Sequence, residues 1–373
     1  MSVLRGGPRV RAVPSTKEPS PQSSPRGRRG RSLARSPLPL RDGQGEGAYL
    51  GPLLRLAALA LALALDAILG EPPTAVHPVV WIGRLISWLN ARAPQKGRVA
   101  QLAYGAGVAL AVPAAAALPA ALLGRAARRW HPLVRVAVAA LALKPTFAAR
   151  DLFAHLERVR APLAAGRLDD ARASLQMIVS RDTQTLSPEL VAAAAVESAA
   201  ENASDSFVAP LLYYLALGPA GSLAYRASNT LDAMIGYHGR YEYLGKAAAR
   251  LDDLANLIPS RLTALLIAIA SPLGQGDPRR AWRMAREHHG RTESPNAGWP
   301  MAAMAGALGV ELEKVGHYRL GEPKEHLRPE HVRRAMRIVA GAMVLATGLV
   351  GIALAGSASA KLDGSKRRGV GQA

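Results

Sequence analysis

Long apolar runs alternate with polar, charged segments along this chain of 373 residues. Three of these runs are each about long enough, as helices, to cross the hydrocarbon core of a bilayer: LLRLAALALALALDAILG, QLAYGAGVALAVPAAAALPAALLG and AMRIVAGAMVLATGLVGIALAG. They predict membrane spans at about 52–70, 102–123 and 336–355. Since soluble proteins seldom carry three such runs, the pattern predicts an integral membrane protein.

Three further apolar stretches are shorter or interrupted. PLVRVAVAALAL is too short to span a bilayer alone, and the stretches at about 207–223 and 262–273 are broken by Pro and Gly. The polar segments 145–207, 225–256 and 274–335 all carry Arg, which favours one shared cytoplasmic side. That placement requires the two interrupted stretches to be re-entrant or buried against other helices, not full spans.

The polar segments also show a helical pattern. Residues 145–207 carry mixed charges at helical spacing and are predicted to form soluble helices, one of them capped by Ser187. No segment has the β-branched alternation that predicts a sheet. The predicted fold class is therefore all-α, a polytopic helical integral membrane protein with soluble helical loops.

The two ends differ from the rest of the chain in composition. Residues 1–47 are rich in Arg, Pro and Ser, and residues 358–373 are basic. Both are predicted to be disordered tails around a membrane domain at 48–357, because such segments bury too little apolar surface to offset the entropy of ordering. The N-terminal tail suits contact with nucleic acid or anionic lipid, or a solvated extension that sets topology. The last is favoured, since basic flanks of a first span stay cytoplasmic.

Overall composition narrows the chemistry. Mean hydropathy is +0.07 although 20% of the residues are charged, so the apolar residues must be concentrated in the runs. Much of the formal net charge of +20 lies in the N-terminal tail. Cysteine is absent, which excludes disulfides and thiolate metal sites.

A row of acidic residues interrupts an Ala-rich stretch. Glu197, Glu201 and Asp205 stand four residues apart in VESAAENASDSFVAP. On a helix such positions lie on one face, where three carboxylates repel one another. The row lowers stability unless a cation, a metal or a basic neighbour compensates it.

Polar residues gather in four clusters, one of which is this acidic row with Asn202. The others are the segments DAILGEPPTAVHPVVWIGRLI, YRASNTLDAMIGYHGRYEYLGKAAARLDDLANLIPSRLTAL and SPNAGWPMAAMAGALGV. Their polar and turn residues are Asp66, Gly70, Glu71, His77, Pro78, Arg226, Asn229, Asp232, Lys246, Arg250, Asp252, Asp253, Asn256, Arg261 and Asn296. Taken singly, each has a structural explanation, such as a loop histidine, a helix cap or a surface ion pair. Together they indicate a site, because carboxylates beside apolar segments normally face a cavity or a partner.

The residue types in these clusters suit phosphoryl or acyl-phosphate chemistry. Mg²⁺ prefers a few carboxylates together with substrate phosphates, and Arg binds phosphate or carboxylate with two parallel hydrogen bonds. The sequence has no evident Ser/His/acid set for nucleophilic hydrolysis. It also has no Walker-type loop and no G-x-G-x-x-G after a strand, so a nucleotide must be bound in another way.

From about residue 59 to about residue 320 the chain resembles the CobD/CbiB family, the membrane-bound adenosylcobinamide-phosphate synthases of cobalamin biosynthesis. The matching motifs, in the family's order, are LGEPP…HPVVWIGRLI, ESAAENASDSFVAPLLYY, YRASNTLDAMIGY, ARLDDLANLIPSRLTAL and SPNAGWPMAAMAGALGV. Two positions depart from the family pattern. Glu71 stands where many members have Asp, and Met301 where an acidic residue is common, so the roles of these two positions are open.

The resemblance implies an amide-forming ligase. Such an enzyme joins a propionate of adenosylcobyric acid to the amine of (R)-1-amino-2-propanol or its O-phosphate, with ATP as co-substrate and Mg²⁺. Amide formation from a carboxylate is uphill in water, so the carboxylate must first gain a leaving group. The implied surroundings are the lipid bilayer of the cell membrane, with a multi-pass chain and a cytoplasmic active site. Other membrane enzymes of the corrinoid pathway are expected partners, and nucleic acid is not.

The resemblance and the residue types together assign hypothetical roles. The catalytic candidates are Glu197, Glu201, Asp205, Asp232 and Asp253. The substrate-binding candidates are Asn202, Arg226, Asn229, Lys246, Arg250, Asn296 and His77, with Arg261 as a further phosphate ligand. The metal candidates are Glu201, Asp205 and Asp252.

Two other classes of protein compete with this interpretation. Broken apolar helices also occur in membrane transporters of small charged or corrinoid substrates, but the chain has no repeated half. A nucleic-acid binder is supported only by the basic tail, without a recognition fold or interleaved aromatic residues.

Overall fold

The structure is a computed structural model that describes the backbone of residues 50–370 and the side chains of residues 50–359. The basic tail predicted at 1–47 lies outside the described residues. Within them the chain is mostly helical, as predicted, with one short β-hairpin.

The helices of the described chain are numbered in order. They are α1 Pro52–Leu69, α2 Pro78–Asn90, α3 Arg98–Ala126, α4 Pro132–Leu143, α5 Ala149–Ala164, α6 Leu168–Gln176, α7 Pro188–Ala203, α8 Ala209–Ile235, α9 Lys246–Ala255, α10 Leu257–Ala270, α11 Pro278–His288, α12 Gly298–Leu308 and α13 Pro329–Val370. A π-helical turn, Ser204–Val208, joins α7 to α8. Within α8, Gly218 has φ 73°, which breaks the helix into two halves just before Pro219.

Six helical segments of the described chain are long and apolar enough to cross a membrane: Pro52–Leu69, Arg98–Arg129, Pro132–Ala164, Pro188–Ile235, Leu257–Gly274 and Pro329–Ser359. The sequence predicted only three spans, since only three apolar runs are long enough by themselves to cross a bilayer. The difference arises because neighbouring helices join: PLVRVAVAALAL continues through α5, and the stretch at 207–223 continues α7. The protein is therefore a multi-pass membrane protein by its fold.

The added segments run through the interior of the bundle. In the most apolar windows of Pro188–Ile235 and Leu257–Gly274, 56% of the residues are buried, against 22% for Pro52–Leu69 and Arg98–Arg129. Burial against other helices was one of the two predicted arrangements for the interrupted stretches. Inner helices tolerate their Gly and Pro breaks because neighbouring protein shields the freed backbone groups.

Helix α7 corrects the prediction of soluble helices over 145–207. It begins after Ser187, whose hydroxyl accepts the predicted capping hydrogen bond from the amide of Leu190 at 3.3 Å. Eleven of its sixteen residues are nevertheless buried. The physical reason is its run of Ala, which lets neighbouring helices approach closely from several sides.

Two apolar cores hold the bundle together. The larger one surrounds α7 and includes residues of α10, α12 and α13. The smaller one lies between α2, α3, α8 and α9. Close approach at this second core requires Gly105 on α3, since a Cβ atom there would lie 2.0 Å from the carbonyl oxygen of Leu244. The loop before α9 is thereby pressed against α3.

The β-hairpin was not predicted from the sequence. Strand β1, Glu311–Lys314, pairs antiparallel with β2, Tyr318–Gly321, and Leu312 faces Leu320 across the pair, both fully buried. Each strand has only four residues, too few for an alternation to be recognised. At the C-terminus, α13 extends to Val370.

Candidate active site

A polar cavity of about 810 Å³ lies where α7, the π-helical turn, α8 and α9 meet. The loop before α7, the loop between α8 and α9, the β-hairpin and the turn before α12 also contribute to its wall. Twelve of the predicted site residues line it together: Glu197, Glu201, Asn202, Asp205, Arg226, Asn229, Asp232, Lys246, Arg250, Asp252, Asp253 and Asn296. The convergence of separate polar clusters is therefore what the structure shows.

The acidic row forms one side of this cavity. Glu197 and Glu201 lie on α7, and Asp205 lies in the π-helical turn that follows. All three line the cavity, so the predicted common face is present. A π-helical turn is rare and often occurs at functional sites, because its extra residue redirects the side chains around it. Here it sits at the point where the acidic row meets the carboxylates of α9.

The negative charge of Glu197 is compensated by a basic side chain of the protein itself. It is 3% exposed and forms an ion pair with Arg181, a residue of the loop before α7. Its second carboxylate oxygen, Oε1, has no hydrogen-bond partner among the described residues. The predicted relief of repulsion by a basic neighbour thus applies to Glu197, while Glu201 and Asp205 have no ion pair of this kind in the described chain.

Asn229 connects the acidic row to Asp252, a carboxylate of α9. Its side-chain nitrogen donates to Asp205 Oδ2 at 3.3 Å and to Asp252 Oδ1 at 3.4 Å. The other oxygen of Asp252 accepts a hydrogen bond from Asn256 at 3.0 Å. Two carboxylates that are far apart in sequence therefore share one amide group.

The carboxylates of α9 are shifted toward the neutral form. Burial raises the pKa of Asp252 above its ordinary value, although hydrogen bonds from Asn256 and Asn229 oppose the shift. Burial also raises the pKa of Asp253, against the nearby charge of Arg250 and a hydrogen bond from Ser294. A raised pKa makes a carboxylate a stronger proton acceptor once it is ionised.

Cationic side chains face these carboxylates. Arg226, Lys246 and Arg250 line the cavity as predicted, and Arg226 donates to Ser206 at 3.2 Å. Arg181 and Lys314 also line it and were missed. Arg181 stands in a polar loop and Lys314 on the unpredicted hairpin, so neither had a motif to mark it.

Several predicted amides are engaged by the protein. Asn202 donates to the backbone of Ser198 at 2.9 Å and accepts from Ser206 at 3.0 Å. Asn296 donates to the carbonyl of Asp253 at 2.7 Å and accepts from Arg261 at 3.2 Å. These bonds position the cavity wall. Arg261 is not among the residues that line the cavity and lies over the ring of Trp299.

His77 is separated from the other predicted substrate-binding residues. It does not line the cavity; its Nδ1 accepts from the amide of Val79 at 3.1 Å and so caps α2. Its other ring nitrogen pairs with Glu71, which also binds Lys144. Lys144 in turn lies 3.0 Å from Asp66, the carboxylate at the end of α1. The first polar cluster thus forms a charge network of its own.

Glu71 is ionised within this network. Burial raises its pKa, but the hydrogen bonds and charges of His77 and Lys144 outweigh that effect, and the net pKa is lower than usual. The network joins the end of α1, the start of α2 and the turn after α4. The charged residues of the LGEPP…HP motif therefore have a structural role, which is to hold these three parts of the chain together.

The cavity residues fit Mg²⁺ only as a site completed by substrate. Among residues 50–359, no group of three His, Asp or Glu side chains lies close enough to enclose a metal ion. Mg²⁺, however, takes one or two carboxylates together with substrate phosphates. Asp205 and Asp252 offer such a pair around one amide, and the unpartnered Oε1 of Glu197 is a further hard oxygen.

The fold and the cavity define a class: a multi-pass helical membrane protein with an enclosed site of opposing carboxylates and cations. Comparison with known proteins narrows the class. The family model described as "CobD/Cbib protein" matches residues 59–339. The chain belongs to the CobD/CbiB family.

Curated relatives agree with this assignment. The chain is 42% identical over 279 residues to "Cobalamin biosynthesis protein CobD" of Dehalococcoides mccartyi, covering 75% of this chain and 91% of the relative. It is 40% identical over 311 residues to the protein of the same name in Rhodobacter capsulatus, covering 79% and 96%. A "Probable cobalamin biosynthesis protein CobD" of Thermococcus kodakarensis is 41% identical over 285 residues, covering 76% and 90%. No solved structure matches the chain. The family places the protein among cobalamin biosynthesis proteins.

Proposed function

We propose that the protein forms an amide bond between a propionate of adenosylcobyric acid and the amine of (R)-1-amino-2-propanol or its O-phosphate, with ATP as co-substrate. The supporting observation is one cavity whose wall contains Glu201, Asp205 and Asp252 together with Arg226 and Lys246. Such a cavity can bind an ammonium group and phosphate groups at the same time. The corrinoid substrate is supported by the family to which the chain belongs.

The reaction requires an activated carboxylate. The terminal phosphoryl group of ATP is transferred to a propionate oxygen, which gives an acyl phosphate and ADP. The amine nitrogen then attacks the acyl carbon, the C–O bond to phosphate breaks, and inorganic phosphate leaves with the electron pair. Arg226, Lys246 and Arg250 bind the phosphate groups during both steps.

The attacking amine must lose protons. Asp253 is the proposed general base, because burial raises its pKa and it lies on the cavity wall. Glu201 binds the ammonium form before that transfer. Asp205 and Asp252 are the proposed ligands of Mg²⁺, which supplies neutralisation of charge on the phosphate oxygens when it is bound.

We place the enzyme in the cell membrane with the cavity on the cytoplasmic side. The argument is the Arg and Lys content of the loops at 165–187, 236–256 and 275–328, which meet at the cavity. These loops share one side when Pro188–Ile235 and Leu257–Gly274 enter the bundle without crossing the bilayer, the arrangement that the sequence required of the interrupted stretches. ATP is available on the same side.

The test is an assay with purified protein in membranes, supplied with adenosylcobyric acid, ATP, Mg²⁺ and each form of aminopropanol. We expect a corrinoid product whose mass corresponds to the added amide, with release of ADP. Glu201→Gln should lower turnover by at least about 100-fold if an acid–base or electrostatic role is lost. Glu189→Gln, at the start of the same helix and outside the cavity, is the matched control.

Two outcomes would contradict the proposal. Unchanged turnover in Glu201→Gln removes the role of the acidic row. Accumulation of unmodified corrinoid inside sealed vesicles, without product, would instead support the transporter interpretation.

A further inference from the structure

The mouth of the cavity carries an aromatic loop that the proposed reaction does not use. Residues 236–245 connect α8 to α9, and Tyr237, His238 and Tyr241 line the cavity from this loop. Tyr237 is 51% exposed although it is a large aromatic side chain. Exposed aromatic groups beside a polar cavity are typical of a surface that contacts a ligand.

The size of the cavity indicates what lies at this mouth. A cavity of about 810 Å³ is in the range that encloses a drug-sized molecule. A corrinoid, with its macrocycle, its amide arms and an attached nucleoside, is larger than that. The reacting propionate arm can enter the cavity together with the smaller substrates, while the macrocycle with its cobalt has to remain at the mouth.

His238 has the arrangement of a metal-binding histidine. Its Nδ1 lies 2.7 Å from the carboxylate of Glu242, four residues further along the same loop. Histidines that bind metals commonly donate one ring N–H to a carboxylate, which fixes the tautomer and leaves the other nitrogen free as a ligand. Within the described chain, Nε2 of His238 makes no hydrogen bond and its side chain is 84% exposed.

The pair of His238 and Glu242 contributes little to the stability of the fold. Both partners are solvent-accessible, with Glu242 39% exposed. Exposed ion pairs contribute roughly 0–1 kcal/mol to stability. Gly239, which follows His238, has φ 81°, a conformation that favours glycine, and no atom lies within 4 Å of the position of a Cβ, so this part of the loop is open to solvent.

We propose that His238 binds the cobalt of the corrinoid substrate as an axial ligand through Nε2, with Glu242 as its hydrogen-bond partner. The imidazole nitrogen replaces the water molecule opposite the adenosyl group, and the oxidation state of cobalt does not change. The inference rests on the proposed function, because it takes a corrinoid as the substrate. It adds a metal-ligating residue that also fixes the position of the macrocycle over the cavity.

The test is electron paramagnetic resonance of cob(II)yric acid bound to the full chain in detergent. With natural-abundance protein, a nitrogen axial ligand splits the cobalt lines into triplets; protein labelled with ¹⁵N-histidine should give doublets. His238→Ala should lose the splitting. His317→Ala is the matched control at the same cavity and should retain it. Glu242→Gln should retain it with an affinity for the corrinoid weakened by about 10-fold or more.

The outcomes separate the two proposals. If the corrinoid is bound and converted to product but the wild-type spectrum shows no nitrogen splitting, the inference about His238 is wrong and the proposed function stands. Splitting that persists in His238→Ala also contradicts it. If no corrinoid binds and no product forms, the proposed function fails and the inference fails with it. His238→Ala should show a raised KM for the corrinoid, and thermal unfolding in detergent that matches the wild type would show that the variant is folded.

Discussion

At the scale of single residues, Asp252 accepts hydrogen bonds from the side-chain amides of Asn229 and Asn256. A buried tyrosine sets the orientation of the second amide. Tyr225 is 2% exposed and donates to Asn256 Oδ1 at 2.8 Å. This bond sets the orientation of the amide, so that the nitrogen of Asn256 points to Asp252 at 3.0 Å. Without it, the amide could turn its oxygen toward the carboxylate. Tyr225 is therefore a positioning residue for a proposed ligand of Mg²⁺.

We expect Tyr225→Phe to raise the Mg²⁺ concentration needed for half-maximal turnover by about 10-fold, because an Asn256 amide that has turned over no longer donates to Asp252, and losing the outer hydrogen-bond partner of a metal ligand has an effect of this size. A Mg²⁺ titration of product formation measures it. Tyr213→Phe is the control, since Tyr213 stacks on Tyr225 but donates to the carbonyl of Ala255 instead. Equal Mg²⁺ requirements in the two variants would contradict the positioning role.

A second prediction concerns Asp253 and pH. As the proposed base it must be ionised, so kcat should fall as pH decreases through its pKa, which burial raises above 3.8. Arg250 lies 3.6 Å away and opposes that rise, so Arg250→Ala should move the acidic limb of the kcat profile to higher pH. The shift should be less than about one pH unit, because Arg250 is 76% exposed and solvent screens its charge.

The measurement is kcat at saturating substrate, so that weaker phosphate binding by the variant does not enter. Asp253→Asn is the control and should lose turnover across the pH range. An acidic limb that moves to lower pH in Arg250→Ala, or that persists in Asp253→Asn, would exclude Asp253 as the base.

Spacing and motifs located residues that the structure brings to one cavity, while their roles stay predictions. Glu197, Glu201 and Asp205 share a face because helical spacing requires it, and this row lines the cavity. Arg181 could not be found in this way, since its partner Glu197 lies on another element and the pairing depends on tertiary packing. His77 was grouped with the site by its motif, whereas its ring caps α2.

At the scale of elements, the loop before α7 is attached to that helix by a buried charge. Arg181 pairs with Glu197, which is almost completely buried. Removing one partner of a buried pair leaves the other charge uncompensated, which is more destabilising than losing both. The pair therefore joins a polar loop to the central helix of the bundle.

We expect Arg181→Gln to lower the free energy of unfolding by about 3–5 kcal/mol, and the double variant Arg181→Gln/Glu197→Gln to recover part of the loss. Thermal unfolding of the purified protein in detergent measures both. Arg167→Gln, which breaks an exposed pair with Asp170, is the control and should change stability by less than about 1 kcal/mol. A double variant that is less stable than Arg181→Gln alone would contradict the argument.

The elements themselves were predicted unequally. Spans with continuous apolar runs, such as α1 and α3, were recognised because length and composition suffice for them. Helix α7 was included among the soluble helices of 145–207 because that segment carries mixed charges at helical spacing, whereas most of its residues are buried. The separate expectation that its carboxylates face a cavity agrees with their place on the cavity wall. Charge spacing identifies a helix, but it does not show how many neighbouring helices surround it.

At the scale of the whole molecule, the described chain places its broken helices around the site. Inner helices α7, α8 and α10 carry the π-helical turn, the Gly218 break and buried polar groups, while α1 and α3 remain apolar toward the outside. Irregular backbone and charges are tolerated at membrane depth only where protein or a cavity surrounds them. The polar groups therefore lie on the inner helices, where protein or the cavity surrounds them.

The basic segment 1–47 lies outside the described residues, and a deletion tests whether it contributes to the site. All predicted site residues lie beyond it, and the family match begins only at residue 59. We therefore expect a chain that lacks residues 1–47 to retain turnover within about twofold in the corrinoid assay, since none of the proposed charge stabilisation involves the segment. Retention of the intact protein on immobilised nucleic acid, if observed at low salt, should disappear in the truncated chain, because it would depend on this Arg-rich segment alone. Truncated protein that inserts normally but has lost turnover would show that the segment contributes to the site, and the cavity described above would then be incomplete as the catalytic unit.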